Sequence, residues 1–184
     1  MGRLVVTETD LPEVLVVGSP VYRDRRGFLT ETFNQSAFES ATGIRRDWPQ
    51  DNHSRSVRNV LRGIHFQMPE PQGKLVRCVR GRIFDVAVDL RSSSPRFGRW
   101  AGVVLDDDDP RAVWVPEGFG HGFLVLSDVA DVTYKVTVPY RPGAGRAVRW
   151  DDAAIGVDWP LDGPPILSDA DRDAPGLHAA EVYG

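Results

Sequence analysis

The sequence predicts an all-β fold: a jelly-roll-type antiparallel barrel with short helical decorations at its N- and C-terminal ends. Three observations lead there. Apolar and polar residues alternate over many short segments, turn residues recur about every 8–12 positions, and only one stretch has helical character. Eighteen glycines and fourteen prolines supply the punctuation. A single domain over residues 1–184 is expected at this length, with enough chain to bury a sizeable core.

Taken in order, Val14-Leu15-Val16-Val17 reads as a short apolar strand, and Asp24-Arg25-Arg26-Gly27 as a turn into a strand over Phe28–Phe33. Ser36–Ala41 is the helix candidate, stopped by Gly43. Lys74 begins a strand. Arg82–Leu90 is another, with Phe84, Val86, Val88 and Leu90 on one face and Asp85 and Asp89 on the other. Gly98–Leu105 follows, then an acidic turn from Asp106 to Asp109 closed by Pro110. Ala112–Pro116, Gly122–Leu126 and Asp131–Val138 are further strands, and Val148-Arg149-Trp150 is the last. The tail from Pro160 reads as loop with a few helical turns. The helix is too short to support an α/β fold.

Hydrophobic residues make up 41% and charged residues 26%, as in an ordinary globular protein. A net charge of −4 argues against a general nucleic-acid binder. Only Lys74 and Lys135 among the 22 cationic residues are lysines, so a lysine inside a polar run stands out. The single cysteine, Cys78, rules out an internal disulfide framework and a cysteine-cluster zinc site, and is expected as a small buried hydrophobe on a strand. There is no signal-peptide pattern and no apolar run of about 18 residues, so a cytoplasmic protein without membrane partners is expected.

The chemistry concentrates in Gln50-Asp51-Asn52-His53-Ser54, running on into Val60-Leu61-Arg62-Gly63-Ile64-His65-Phe66-Gln67. Burying Asn, Arg and His costs several kcal/mol unless each finds a partner, so this run points to a polar pocket that holds a ligand. Strict alternation sends Arg62 and His65 to opposite faces; a bulge at Gly63 would bring both into one pocket. A lone histidine is more often a satisfied core residue, but Arg62, Asn52 and Gln50 beside it favour function. His53 has a blander reading, hydrogen bonding to its own turn. Tyr134 alternates with Val132, Val136 and Val138, and is either core with its hydroxyl at the rim or a proton donor facing the interior. Tyr140 is held between Pro139 and Pro142, where it could stack on a flat ring. Asp169 and Asp171 read as a turn or helix cap, and Arg26 and Glu31 as surface charge.

Pro116-Glu117-Gly118-Phe119-Gly120-His121-Gly122 resembles the second motif of cupins. Metal-binding cupins carry two histidines one residue apart in their first motif; here that place reads His65-Phe66-Gln67. With one of them a glutamine and only four histidines in the chain, His178 in the tail among them, a metal is disfavoured.

Together with Gln72-Gly73-Lys74-Leu75-Val76-Arg77, Phe84–Arg91, Ser94–Gly98 and Asp158-Trp159-Pro160-Leu161, these motifs resemble the dTDP-4-dehydrorhamnose 3,5-epimerases, in order from about Arg23 to Asp171. The resemblance implies a cupin-type jelly roll, a homodimer, no metal and no cofactor. It implies His65 as base oriented by Asp171, Tyr134 as acid, and Lys74 and Arg62 near sugar and phosphates with His121 close by. Gln50 and Asn52 would bind the nucleotide side, Tyr140 would stack on thymine, and Arg26 and Glu31 would reach the nucleotide, partly from the partner subunit. Two positions depart from the family pattern: Gly145 stands where a glutamate is usual and Ala170 where a lysine is usual, both on the nucleotide side.

Epimerisation next to a ketone asks for these residue types. A base poised near neutral pH removes a weakly acidic carbon proton, and histidine titrates there. A carboxylate fixes its tautomer, a cation such as Lys74 stabilises the enolate, and a separate acid, Tyr134, reprotonates the opposite face. The guanidinium fork suits a diphosphate. The expected substrate is a dTDP-4-keto-6-deoxyhexose, epimerised at C3, C5 or both. A sugar 3,4-ketoisomerase, a single-centre epimerase, a non-catalytic sugar-nucleotide-binding cupin and a metal-dependent cupin enzyme stay open as alternatives.

Overall fold

A computed structural model describes residues 3–184. Its strands are β1 (Val5–Glu8), β2 (Leu15–Gly18), β3 (Val21–Asp24), β4 (Gly27–Thr30), β5 (Gln50–Val57), β6 (Leu61–Gln67), β7 (Lys74–Arg80), β8 (Arg82–Asp89), β9 (Trp100–Asp106), β10 (Arg111–Val115), β11 (Phe119–Val125), β12 (Val129–Val136) and β13 (Gly145–Ala147). Two helices, α1 (Gln35–Thr42) and α2 (Asp169–Arg172), complete the elements. A six-stranded sheet, β1-β2-β10-β7-β12-β5, faces a five-stranded sheet, β13-β6-β11-β8-β9, and every pairing in both is antiparallel. The chain changes sheet at nearly every connection from β5 to β13, which is jelly-roll connectivity. The β3–β4 hairpin stands apart as its own two-stranded sheet.

The core has three layers. Between the sheets lie Val76, Ile83, Ala87, Val113, Phe123 and Val132. Outside the five-stranded sheet, the chain after β13 lays Val148, Ile155, Trp159 and Leu177 over Val86, Val88 and Leu90. β8 therefore divides its faces as its alternation requires, yet both are buried: Asp85 sits among the inward residues at 1% exposure. Outside the other sheet, α1 packs Phe38 against Trp114 and Trp48. Asn34 caps α1 by accepting from the Ala37 N–H at 3.0 Å, and Gly43 ends it in the left-handed conformation at φ 75°. Among the described residues no helix is long and apolar enough to cross a membrane.

The elements differ from the sequence expectation at β1 and β3, which no sequence signal located, and at the following places. The strand expected over Phe28–Phe33 ends at Thr30, because the chain must turn towards the Asn34 cap. The last strand is Gly145–Ala147 rather than Val148–Trp150; Val148 still exchanges backbone hydrogen bonds with Ile64, but the Arg149 N–H turns away to Pro175. The strand expected to reach Val138 stops at Val136. β5 is a full eight-residue strand without apolar alternation, its inward row Gln50, Asn52, Ser54 and Ser56 facing a polar interior.

Candidate active site

One end of the barrel opens as a cavity of about 490 Å³. β5 contributes Ser54, β6 Arg62, His65 and Gln67, β7 Lys74, β11 His121, β12 Tyr134, and the chain after β12 Tyr140 and Arg146. Among the described residues no carboxylate lines this wall, whereas two arginines, a lysine and two histidines do, so the cavity is built for an anion.

The register of β6 against β11 makes the site. His65 sits opposite His121 and Arg62 opposite Phe123, so three steps along β6 match two along β11. That bulge puts Arg62 and His65 on one wall. Gly63 lies within it at φ 111°, and a Cβ there would meet Gly122 Cα and the His121 carbonyl at 2.6 Å. Only glycine permits both the conformation and the approach.

His65 Nε2 lies 2.5 Å from Asp171 Oδ1, although the two are 106 residues apart in sequence. Asp171, at 3% exposure, is the third residue of α2, where the Ser168 hydroxyl donates to its Oδ2 at 2.7 Å and the Gly63 N–H to Oδ1 at 3.4 Å. Burial pushes the Asp171 carboxyl up, but the hydrogen bonds from His65, Ser168 and Gly63 outweigh it and hold it below the usual carboxylate value. The ionised carboxylate thus accepts the hydrogen bond from Nε2–H and leaves Nδ1 with its lone pair free.

A second histidine–carboxylate pair stands beside the first. His121 Nε2 is 2.8 Å from Asp85 Oδ2, both buried. Lys74 is buried on the same wall and donates to the His65 carbonyl at 3.2 Å. Burial lowers its pKa to about 8, partly opposed by the charge on Asp85. The Tyr134 phenol, raised by burial and opposed by the Arg62 charge, stays protonated at neutral pH. Among the described residues its hydroxyl has no hydrogen-bond partner. Arg62 is steadied by donating to Ser56 Oγ at 3.0 Å.

The sequence candidates fall into two sets. His65, Arg62, Lys74, His121, Tyr134 and Tyr140 line the cavity, and Asp171 backs it. Gln50 and Asn52 share the inward row of β5 and are joined by a 2.8 Å hydrogen bond, but neither lines the cavity; Asn52 borders a second cleft that Tyr134 also lines. Arg26 and Glu31 are not brought to the cavity within one chain: Arg26 pairs with Asp24 at the exposed β3–β4 turn, and Glu31 borders clefts beside that hairpin. His53 bonds across the sheet to Asp131 at 3.2 Å, on the outer face of β5, and not to its own turn. Asp85, Gln67, Gln72, Arg146 and Ser168 escaped the sequence reading of function; only Gln67, by its place two residues after His65, carried a signal. Gly145 and Ala170, the two departures, both line the cavity. Among the described residues no three His, Cys, Asp or Glu side chains group to hold a metal. Cys78 is buried on β7 and its thiol is pushed by burial to about 12.

Residues 8–179 match the family model described as dTDP-4-dehydrorhamnose 3,5-epimerase. The sequence is 48% identical over 178 residues to the enzyme of that name from Salmonella typhimurium, covering 96% of this chain and 97% of the relative. In three dimensions it is similar to dTDP-6-deoxy-D-glucose-3,5-epimerase from Legionella pneumophila in complex with dTDP-4-keto-L-rhamnose, at TM-score 0.94 and 41% identity over 96% of this chain and 94% of that one. It is also similar to a 3'-monoepimerase from Streptomyces bikiniensis in complex with dTDP-quinovose, at TM-score 0.85 and 36% identity, covering 97% of this chain and 88% of that one.

Proposed function

Since this chain belongs to the dTDP-4-dehydrorhamnose 3,5-epimerase family of cupin-fold isomerases, we propose that its cavity epimerises a dTDP-4-keto-6-deoxyhexose by proton abstraction and return. The observation that carries the mechanism is the His65–Asp171 pair opening on a cationic cavity that Tyr134 also lines. His65 takes the proton next to the ketone. Asp171 holds the ring's tautomer and balances the imidazolium that forms. Lys74, cationic below about pH 8, faces the developing enolate oxygen. Tyr134 returns a proton from the opposite face, which inverts the carbon.

The same reading assigns the diphosphate to Arg62 and its cationic neighbours, and thymine to the exposed ring of Tyr140. Arg26 and Glu31 act from the partner subunit of a homodimer. Their distance from the cavity in one chain, and the exposed Tyr22, Phe28 and Leu29 on the same hairpin, support that arrangement. No cofactor takes part. The family model and the Salmonella typhimurium enzyme are both described as 3,5-epimerases, which supports two inverted centres.

Incubation with dTDP-4-keto-6-deoxyglucose in D2O, followed by NMR, tests the whole reading. Deuterium at both C3 and C5 with inverted product is expected. Binding without exchange would leave only a sugar-nucleotide-binding module, and exchange at C3 alone a single-centre epimerase.

A further inference from the structure

The Tyr140 segment has no sheet partner. Pro139 and Pro142 bracket it, so Tyr140 and Arg141 carry the only N–H groups between them. Three glutamine side chains hold this backbone in place of a neighbouring strand. Gln72 Nε2 donates to the Val138 carbonyl at 2.7 Å. Gln67 Nε2 donates to the Pro139 carbonyl at 3.3 Å, and its Oε1 accepts the Arg141 N–H at 3.0 Å. Gln50 Oε1 accepts the Tyr140 N–H at 2.8 Å, while its Nε2 is committed to Asn52. Four successive residues, 138 to 141, thus each have a backbone group fixed by a glutamine.

The geometry contrasts with that of the ring. The Tyr140 side chain is among the most exposed large apolar groups, at 59%, whereas Gln67 is buried at 3% exposure. A rigid backbone carrying an exposed aromatic ring is a preformed stacking surface, which binds a planar base without first ordering a loop. Both amide groups of Gln67 are used on backbone: its Nε2 also donates to the Glu70 carbonyl at 3.3 Å.

We propose that Gln50, Gln67 and Gln72 form a clamp of positioning residues that sets the Tyr140 ring for the nucleobase. Gln67, in the place of the second histidine of metal-binding cupins, is its centre. The clamp acts on affinity for the base and not on proton transfer. This rests on the stacking role of Tyr140 given above, and the test separates the two.

The test measures Kd for dTDP and for inorganic pyrophosphate by calorimetry, and KM and kcat for exchange, in Gln67→Leu, Gln72→Leu, Tyr140→Ala and the Gln67→Leu/Tyr140→Ala double variant. Tyr140→Ala is expected to weaken dTDP about 10- to 100-fold, the range of base–aromatic stacking. Gln67→Leu is expected to weaken dTDP and raise KM about tenfold, to leave pyrophosphate binding unaltered, and to add nothing in the Tyr140→Ala background. Gln72→Leu, on a less buried side chain, is expected to do the same to a smaller degree and covers the case in which Gln67→Leu fails to fold. Multiplicative losses in the double variant, or equal weakening of dTDP and pyrophosphate, overturn the clamp while leaving the platform standing. A Tyr140→Ala variant that binds dTDP as tightly as the native protein removes the platform, and the clamp with it.

Discussion

Replacing Asp171 by Asn tests the base most directly, because the change keeps shape while removing the charge and turning one acceptor oxygen into a donor. Asp171 Oδ1 receives His65 Nε2 at 2.5 Å and the Gly63 N–H at 3.4 Å, and Oδ2 receives the Ser168 hydroxyl at 2.7 Å. If the amide keeps its oxygen towards His65 and Gly63, the tautomer survives and only the charge is lost. A charge-assisted bond is worth about 1.5–3 kcal/mol against about 0.5–1.5 for a neutral one, so about 1–1.5 kcal/mol disappears, roughly a tenfold fall in rate. If the amide nitrogen faces the ring, His65 accepts at Nε2 and carries its proton on Nδ1, where the base must be empty. The corresponding substitution in a Ser-His-Asp triad lowers kcat about 10⁴-fold. Deuterium wash-in next to the ketone, followed by NMR at saturating substrate, should therefore fall at least tenfold and at most about 10⁴-fold, with dTDP affinity kept. Loss of less than threefold in a folded variant would refute the role given to Asp171.

Other outcomes follow from the same coordinates. Tyr134→Phe should retain exchange at the His65 face and lose inverted product; unchanged product yield by NMR would acquit the phenol. The rate should decline as pH rises through about 8, because Lys74 has its pKa lowered to about that value by burial and loses the charge that faces the enolate; a kcat profile flat to pH 9.5 or so would contradict it. Asp171 contributes stability that is present above the unfolded carboxylate value of about 4 and is lost as pH falls through its lower native value, so acid unfolding should be less steep in Asp171→Asn. Gly63→Ala should cost at least about 2 kcal/mol in urea titration, since it forces an L-residue to φ 111° and a 2.6 Å contact on Gly122.

Much of this molecule was legible as sequence. Short apolar runs between turn residues located most of the strands, and alternation marked β8 and β12, because side chains on successive strand residues point to opposite faces whatever the surrounding fold. Gly43 marked the end of α1 by local capping geometry alone, whereas the Asn34 cap emerged only with the structure. The Gly63 bulge was readable because a glycine inside a strand between two polar functional residues has few other uses. Co-linear motifs named the family, and of the candidates they implied Arg62, His65, Lys74, His121, Tyr134 and Tyr140 line one cavity while Arg26 and Glu31 lie away from it.

Tertiary structure decided the rest. β5 carries no apolar period, since its inward row faces a polar cavity instead of a core, so periodicity could not reveal it. Asp85 reads as the polar face of β8, yet it turns inward to His121 because the chain after β13 covers the strand's other face. The glutamine clamp joins β5, β6 and the chain before β7 to one proline-bracketed turn. Local sequence specifies conformation through nearest neighbours, whereas these partnerships form only when the two sheets close on each other and bring distant backbone and side-chain groups within a hydrogen bond's reach.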